Sequence, residues 1–407
     1  MASRTLPFVP AWRQNLMAPQ RARYINNVGN AVIWLTNEPA VKDMLTFDEM
    51  SGLAMLMHPV PWMNGEVFLP DVAYPHPLED HNVTEIQAYL QVCGFHKLGR
   101  QTAWDAVLQR ARDCPVHPVK NYLEAVEWDG KERAPFWLHD YLDVEESAYS
   151  SAVGKMFLIA MVARILDPGC KADYMLVLEG PQGILKSQAC SILGGEWFSS
   201  SLPDIINTKD AMHHLYGKWL IELSEMHAIG RAESNLLKSF LSRETDRFRP
   251  AYGRNEVVHP RQCLFIGTTN ESHYLRDHTG NRRFWPVKCG SPDISALRRD
   301  RDQLFAEAVV RFRGKERHWP DPTFETEFIK PEQEQRRDAD AWEPKITEWL
   351  EGTLLPKVQI VHVARDALGL ETSRLNTADQ RRVTSAMMLA GWRRAGRDNK
   401  GQWWERE

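Results

Sequence analysis

Apolar residues in this chain follow two kinds of spacing, and the change from one to the other near residue 170 divides it. Before that point the spacing is helical. In NNVGNAVIWLTNEPAVKDMLTFDEMSG, the positions Val32, Ile33, Leu35, Val41 and Leu45 fall mainly three and four apart, as on one helix face. TEIQAYLQVCGF and TAWDAVLQRARDC continue the pattern, and HPVKNYLEAVEWDG opens another helix at Pro118, whose fixed φ suits a first helical turn. Residues 1–149 therefore read as a helical N-terminal region. SSAVGKMFLIAMVAR, Ser150 to Arg164, predicts a strongly apolar helix stopped by the turn Asp167-Pro168-Gly169.

Short, uniformly apolar runs then take over in YMLVLEG, KWLIELSE and RQCLFIGTTN. Strands covered on both faces have this character, and helical sequence separates them. The prediction is an α/β unit over 150–319 with a mainly parallel sheet. PDPTFETEFIKPEQEQRRDAD is polar and proline-bearing, which makes 320–340 a linker. ITEWLEG, VHVARDALGL and DQRRVTSAMMLAGWRRAGRD predict helices, so 341–407 reads as a small helical or winged-helix unit.

Composition narrows this only a little. A chain of 407 residues has room for two or three domains. With 50 Lys and Arg against 54 Asp and Glu the formal charge is −4, so a nucleic-acid surface has to be local or built from several subunits. Six cysteines lie scattered without a CxxC pair, which fits reduced thiols better than a disulfide framework or zinc site. MASRTLPFVPAWRQN lacks an apolar signal core, and no run is read as approaching the roughly 20 apolar residues that cross a bilayer. A cytoplasmic chain without a membrane partner is the expectation.

The candidate chemistry begins at GPQGILKS, Gly180 to Ser187. A strand precedes it and a helix follows, the context of a phosphate-binding loop. Gly180 and Gly183 permit unusual backbone angles, while Pro181, Gln182 and Ile184 complete the turn. Backbone N–H groups would cradle phosphates, Lys186 would place a positive charge on them, and the Ser187 hydroxyl would reach Mg²⁺. Leu185 stands where such loops carry a last glycine; the expectation is right-handed backbone with the side chain turned into the domain. An ordinary strand–helix turn with Lys186 in solvent is the competing reading.

The runs downstream favour the first reading. KWLIELSE ends in Glu222 and Glu225, candidates for holding Mg²⁺ and polarising the attacking water, with the division of roles between them open. CLFIGTTN brings Thr268, Thr269 and Asn270 to a strand end, where an amide senses a phosphate or orients water. TGNRRFWPV offers Arg282 or Arg283 to neutralise transition-state charge, from the same or a neighbouring subunit, with the aromatic run as anchor. RETDRFRPAYGRNE supplies DNA-contact candidates Arg247, Arg249, Tyr252 and Arg254; pairing with carboxylates and local packing are the alternative. The tryptophans Trp392, Trp403 and Trp404 close a small core or join a basic DNA or protein surface.

HPVKNYLEAVEWDGKER, LEGPQGILKS, GKWLIELSE, RFRPAYGR, FIGTTN and TGNRRFWPV, in this order, resemble the virulence-associated E family. More broadly they resemble the phage and plasmid replication helicases of superfamily three within the AAA+ ATPases. The resemblance spans roughly Asn30 to Lys288. It implies an AAA+ P-loop core, ATP and Mg²⁺ as cofactors, and a homo-oligomeric ring such as a hexamer that moves on single-stranded DNA beside other replication proteins. Lys186 and Ser187 match its Walker A positions, Glu222 and Glu225 the acidic strand end, Asn270 the sensor, and Arg282 or Arg283 the arginine finger. A helicase or translocase in phage, plasmid or mobile-element replication is therefore expected. An AAA+ remodeller of DNA-bound proteins is the rival, and a non-enzymatic DNA-binding module the weaker one.

Overall fold

The computed structural model describes residues 11–14, 24–61, 73–202, 208–224, 231–248, 257–275, 281–338, 340–371, 373, 375–398 and 401–407. At its centre are five strands, here β1 Met175–Glu179, β2 Phe198–Ser199, β3 Leu220–Leu223, β4 Leu264–Thr269 and β5 Phe284–Lys288. They form one sheet in the order β5-β1-β4-β3-β2, and each neighbouring pair is parallel. Alternate side chains serve opposite layers: Leu176 and Leu178 join the core containing helices α1 Ala148–Leu166, α2 Lys186–Gly194 and α4 Ile294–Arg313. Met175 and Val177 pack with Leu237, Phe240 and Leu241 of α3 Arg231–Leu241. Burial on both faces is why these strands are continuously apolar.

Helix α1 corrects the reading that no run has bilayer length and character. By length and composition its 19 residues would cross a membrane. Here Phe157, Leu158, Met161 and Val162 are instead buried in the α/β core, where an all-round apolar helix is stable.

FWPVK, read from sequence only as an anchor, is the edge strand β5, in register from Phe284 opposite Met175 to Lys288 opposite Glu179. An edge position tolerates Pro286, which has no N–H to donate. Trp285 is buried and stacks on Tyr174 with ring centroids 4.6 Å apart. The expected linker is also structured. Residues 322–335 are helical, with a π-turn at Glu325–Ile329. Asp321 caps the start by accepting the Phe324 N–H at 2.9 Å, Ile329 is buried, and Gln333 Nε2 donates to the Phe284 carbonyl at 2.7 Å. Most of its polarity belongs to the outer face, Gln333 being the buried exception.

The N-terminal unit contains helices Val28–Asn37, Asp80–Val92 and Arg100–Arg112, but also a four-stranded sheet that the helical reading misses. Pro39 explains part of the difference, because it drives Glu38 out of helical angles, to ψ 117°. Leu45 then starts the strand Leu45–Asp48 rather than extending a helix. At the C-terminus helices Glu343–Gly352, Ile360–Leu368 and Thr377–Leu389 accompany a three-stranded sheet. GWRRAGRD, read as helix, forms the strand Trp392–Asp398 paired with Gly401–Arg406. Gly391 leaves the helix at φ +73°, and Trp392 and Trp404 turn inward to fill the core.

Candidate functional site

The loop between β1 and α2 is built around two glycines. Gly180 has φ +146°, and a Cβ there would lie 2.6 Å from Ile184 Cδ1 and 3.1 Å from the Cys289 carbonyl oxygen. Gly183, at φ +87°, makes the second unusual turn.

Leu185 overturns the expectation of right-handed backbone and an inward side chain. It lies at φ 67°, ψ 23°, in the left-handed region, and is 50% exposed. The path into α2 requires that geometry, so the chain accepts a non-glycine residue at a cost of about 1–2 kcal/mol. Leu185→Gly is accordingly expected to raise stability by about 0.5–1 kcal/mol after the glycine's extra unfolded-state entropy is counted, and Leu185→Val to lower it. Urea unfolding measures both; a destabilised glycine variant would mean that side-chain packing outweighs the strain.

Lys186 opens α2 and is buried. Its ammonium donates to the carbonyls of Gly180 at 2.6 Å and Pro181 at 2.9 Å, and to Asn270 Oδ1 at 3.0 Å. Those contacts occupy all three of its donors. Desolvation lowers its pKa from the usual lysine value.

Ser187, one residue on, donates to Glu222 Oε1 at 2.6 Å, and Thr268 Oγ1 donates to the same oxygen at 2.7 Å. Glu222 is 2% exposed, and its other oxygen, Oε2, has no hydrogen-bond partner among the described residues. Such an orphaned carboxylate oxygen is costly unless something positive uses it. The arrangement follows from strand order. β4 lies between β1 and β3, so its polar end carries Thr268 and Asn270 between the glycine loop and Glu222. A cleft of about 360 Å³ runs along this edge, lined by Gly183, Leu185, Ser187, Ser224, Thr268 and Asn270 among others. Clefts at the carboxyl ends of parallel strands are the usual ligand position in open α/β sheets.

The sequence candidates are thus divided. Gly180, Gly183, Lys186, Ser187, Glu222 and Asn270 come together, while Glu225 lies outside the described residues. Arg282 and Arg283 occupy the turn Asn281–Arg283 before β5. Because Phe284 is level with Met175, this turn is at the opposite end of the strands from Gly180, about 17 Å away for five strand residues. Arg283 Nε donates to Ser242 Oγ at 2.7 Å, whereas Arg282 is exposed. Neither is positioned to serve the Lys186 site of its own chain.

Of the DNA candidates, Arg247 is exposed on the strand Thr245–Phe248, which pairs with Val257–Pro260 as a hairpin. Arg249, Tyr252 and Arg254 lie outside the described residues. Sequence reasoning missed what holds the hairpin base: Arg261 donates to Asp246 through Nε at 2.9 Å and Nη2 at 2.5 Å, and both residues are buried. It also assigned Thr268 no contact with Glu222; the only signal was a hydroxyl inside an apolar strand run.

The family model described as the virulence-associated protein E-like domain matches residues 123–338. No curated protein matches the chain. Among solved structures, the apo C-terminal region of NrS-1 (305–718) is 13% identical, with a TM-score of 0.46, covering 84% of this chain and 83% of that one. An A form of the apo NrS-1 C-terminal region is 14% identical, with a TM-score of 0.46 and coverage of 89% and 96%. A point mutant of Thermotoga maritima RuvB is 15% identical, with a TM-score of 0.24 and coverage of 61% and 90%. Likenesses this distant carry no argument about function. The family match, by contrast, spans more than half of the chain and contains the glycine loop, Glu222, Asn270 and both arginines. This chain belongs to the virulence-associated protein E-like domain family.

Proposed function

We propose that this chain is a Mg²⁺-dependent AAA+ P-loop ATPase that moves on DNA, as a helicase or translocase in phage, plasmid or mobile-element replication. The observation that carries the reading is the joining of three adjacent parallel strands at one cleft: Lys186 to Asn270 at 3.0 Å and Ser187 to Glu222 at 2.6 Å. Lys186 supplies charge to the β- and γ-phosphates of ATP, and the first N–H groups of α2 supply donors. Since its three donors are all in use, Lys186 has to give up one acceptor to take a phosphate oxygen. Asn270 is the side-chain acceptor among them, which suits a residue that reports phosphate binding.

The donor set also fits Mg²⁺, a hard cation that prefers oxygen ligands. Ser187 Oγ and Glu222 Oε2, which has no partner among the described residues, are the oxygens that would hold it, and Thr268 keeps the carboxylate oriented. When bound, the ion would draw charge from the phosphate oxygens. Glu222→Gln is expected to lower ATP turnover about 100-fold, the scale of losing one preorganised electrostatic contact, without changing the circular dichroism spectrum. Wild-type turnover across a Mg²⁺ titration would remove Glu222 from the mechanism.

Arg282 is the better supported arginine finger, because it is exposed whereas Arg283 is tied to Ser242. Its distance from its own Lys186 favours action on a neighbouring copy, hence a ring such as a hexamer. The helices and three-stranded sheet of 341–407 support a winged-helix reading of the C-terminal unit. A paired assay of ATPase rate and strand displacement, with and without single-stranded DNA, tests the whole. Stimulated hydrolysis with displacement is expected. Hydrolysis without displacement would favour remodelling of DNA-bound proteins, and DNA binding without nucleotide binding would overturn the enzyme reading.

A further inference from the structure

A buried polar cluster lies behind the glycine loop and takes no part in the ATPase chemistry proposed for the cleft. Glu179, the last residue of β1 and the one before Gly180, is only 6% exposed. Its Oε1 accepts from the Tyr274 hydroxyl at 2.9 Å and from Arg336 Nε at 3.0 Å, and the same Nε is 3.1 Å from Oε2. Tyr274 follows Asn270 by four residues, and Arg336 comes directly after the 322–335 helix. One carboxylate, at the root of the loop, therefore joins the segment leading away from Asn270 to Arg336.

Backbone contacts make the connection stiffer. The Arg336 carbonyl accepts the N–H groups of Tyr274 at 3.0 Å and Leu275 at 3.1 Å, and the Leu275 carbonyl accepts the Asp338 N–H at 3.1 Å. The next residues reach the C-terminal unit, through Arg337 to Glu343 at 2.6 Å and Arg382 to Asp340 at 2.7 Å by two nitrogens. Arg382 also stacks on Trp342, 3.5 Å from the ring centroid.

An apolar group could fill the Glu179 position without the desolvation cost of a charge, so stability alone does not account for this cluster. Burial pushes the Glu179 carboxyl above its ordinary pKa, against the pull of Arg336 and Tyr274. What the cluster provides is geometry: behind Gly180, whose carbonyl accepts from Lys186, and the segment that follows Asn270, whose amide oxygen does the same, Glu179 is joined to Tyr274 and to Arg336, and Arg336 is paired in turn with Glu332.

We propose that Arg336 is a positioning residue for the nucleotide site, setting the spacing between the root of the phosphate loop and Asn270 from the entrance to the C-terminal unit. This rests on the reading of the chain as an ATPase. Arg336 does not touch ATP; its loss would loosen the acceptors around Lys186 and weaken phosphate binding more than the chemical step.

The test is steady-state ATP hydrolysis by the full chain for wild type, Arg336→Met, Arg336→Lys and Tyr274→Phe, with thermal unfolding of each. Arg336→Met is expected to raise KM for ATP about tenfold and leave kcat within about twofold, the pattern of a lost uniform-binding contribution. Arg336→Lys keeps the charge and should recover part of the loss, while Tyr274→Phe should raise KM less. A lowered Tm with unchanged KM and kcat per folded molecule would make the cluster merely structural and overturn the proposal. If Arg336→Met does not fold, unchanged KM in both Arg336→Lys and Tyr274→Phe overturns it equally. A wild-type chain that neither binds nor hydrolyses ATP would sink the ATPase reading itself and this inference with it, an outcome visible before any variant is compared.

Discussion

Lys186→Ala is expected to cut ATP turnover by at least about 10²–10³-fold while the chain stays folded. The loss follows from the position of the ammonium at the head of α2, with Gly180, Pro181 and Asn270 around it and Ser187 next in sequence. No other described cation lines that cleft, so no neighbour replaces the charge. Folding should survive because the released carbonyls and amide border a cleft that water can enter, and α2 keeps Ala189, Cys190 and Leu193 in the core. Lys186→Arg should not restore activity, since a planar guanidinium does not reproduce a compact ammonium between three acceptors. ATPase rate with a circular dichroism control decides it: a folded Lys186→Ala protein with unchanged turnover would end the phosphate-loop assignment.

The second large effect concerns stability. Arg261→Ala is expected to cost about 3–5 kcal/mol, because it leaves Asp246 buried without its cation. Arg261 is fully enclosed: besides Asp246 it donates to the Phe240 carbonyl at 2.5 Å, and its guanidinium stacks over Phe240 at 4.8 Å. Its own backbone is also engaged, the carbonyl accepting Gly169 N–H at 3.0 Å and the N–H reaching Glu244 at 2.8 Å. Replacing both charges, as in Arg261→Met with Asp246→Leu, should recover most of the loss, and the double-mutant cycle gives the coupling directly. Urea unfolding is the measurement. A single-variant cost below about 1 kcal/mol would show the pair to be solvated, as surface ion pairs are.

Periodicity carried the sequence reading furthest where one rule governs the residues. β1, β3 and β4 are legible because a strand buried on both faces has to be apolar throughout, and α1 because its run is long. β5 is hidden by Pro286, which argues against a strand until an edge position removes the need for its N–H. The 322–335 helix is hidden by a polar outer face, and the final hairpin by arginines and tryptophans that fit either kind of element until pairing decides. Leu185 defeated a local rule outright: the loop path imposed left-handed angles that the residue type disfavours.

What the amino-acid order determined by itself was the inventory: a glycine loop with Lys186 and Ser187 between strand and helix, an acidic strand end, a polar strand end and a pair of arginines. Their grouping was decided by tertiary structure. Inserting β4 between β1 and β3 brings Asn270 to Lys186 and Thr268 to Glu222, contacts that span 84 and 46 residues. The parallel register of β5 with β1 then sends Arg282 to the other end of the strands, away from that site. Local sequence can state which groups are available, but distance between them depends on strand order and direction, which are set by how whole layers bury their apolar faces.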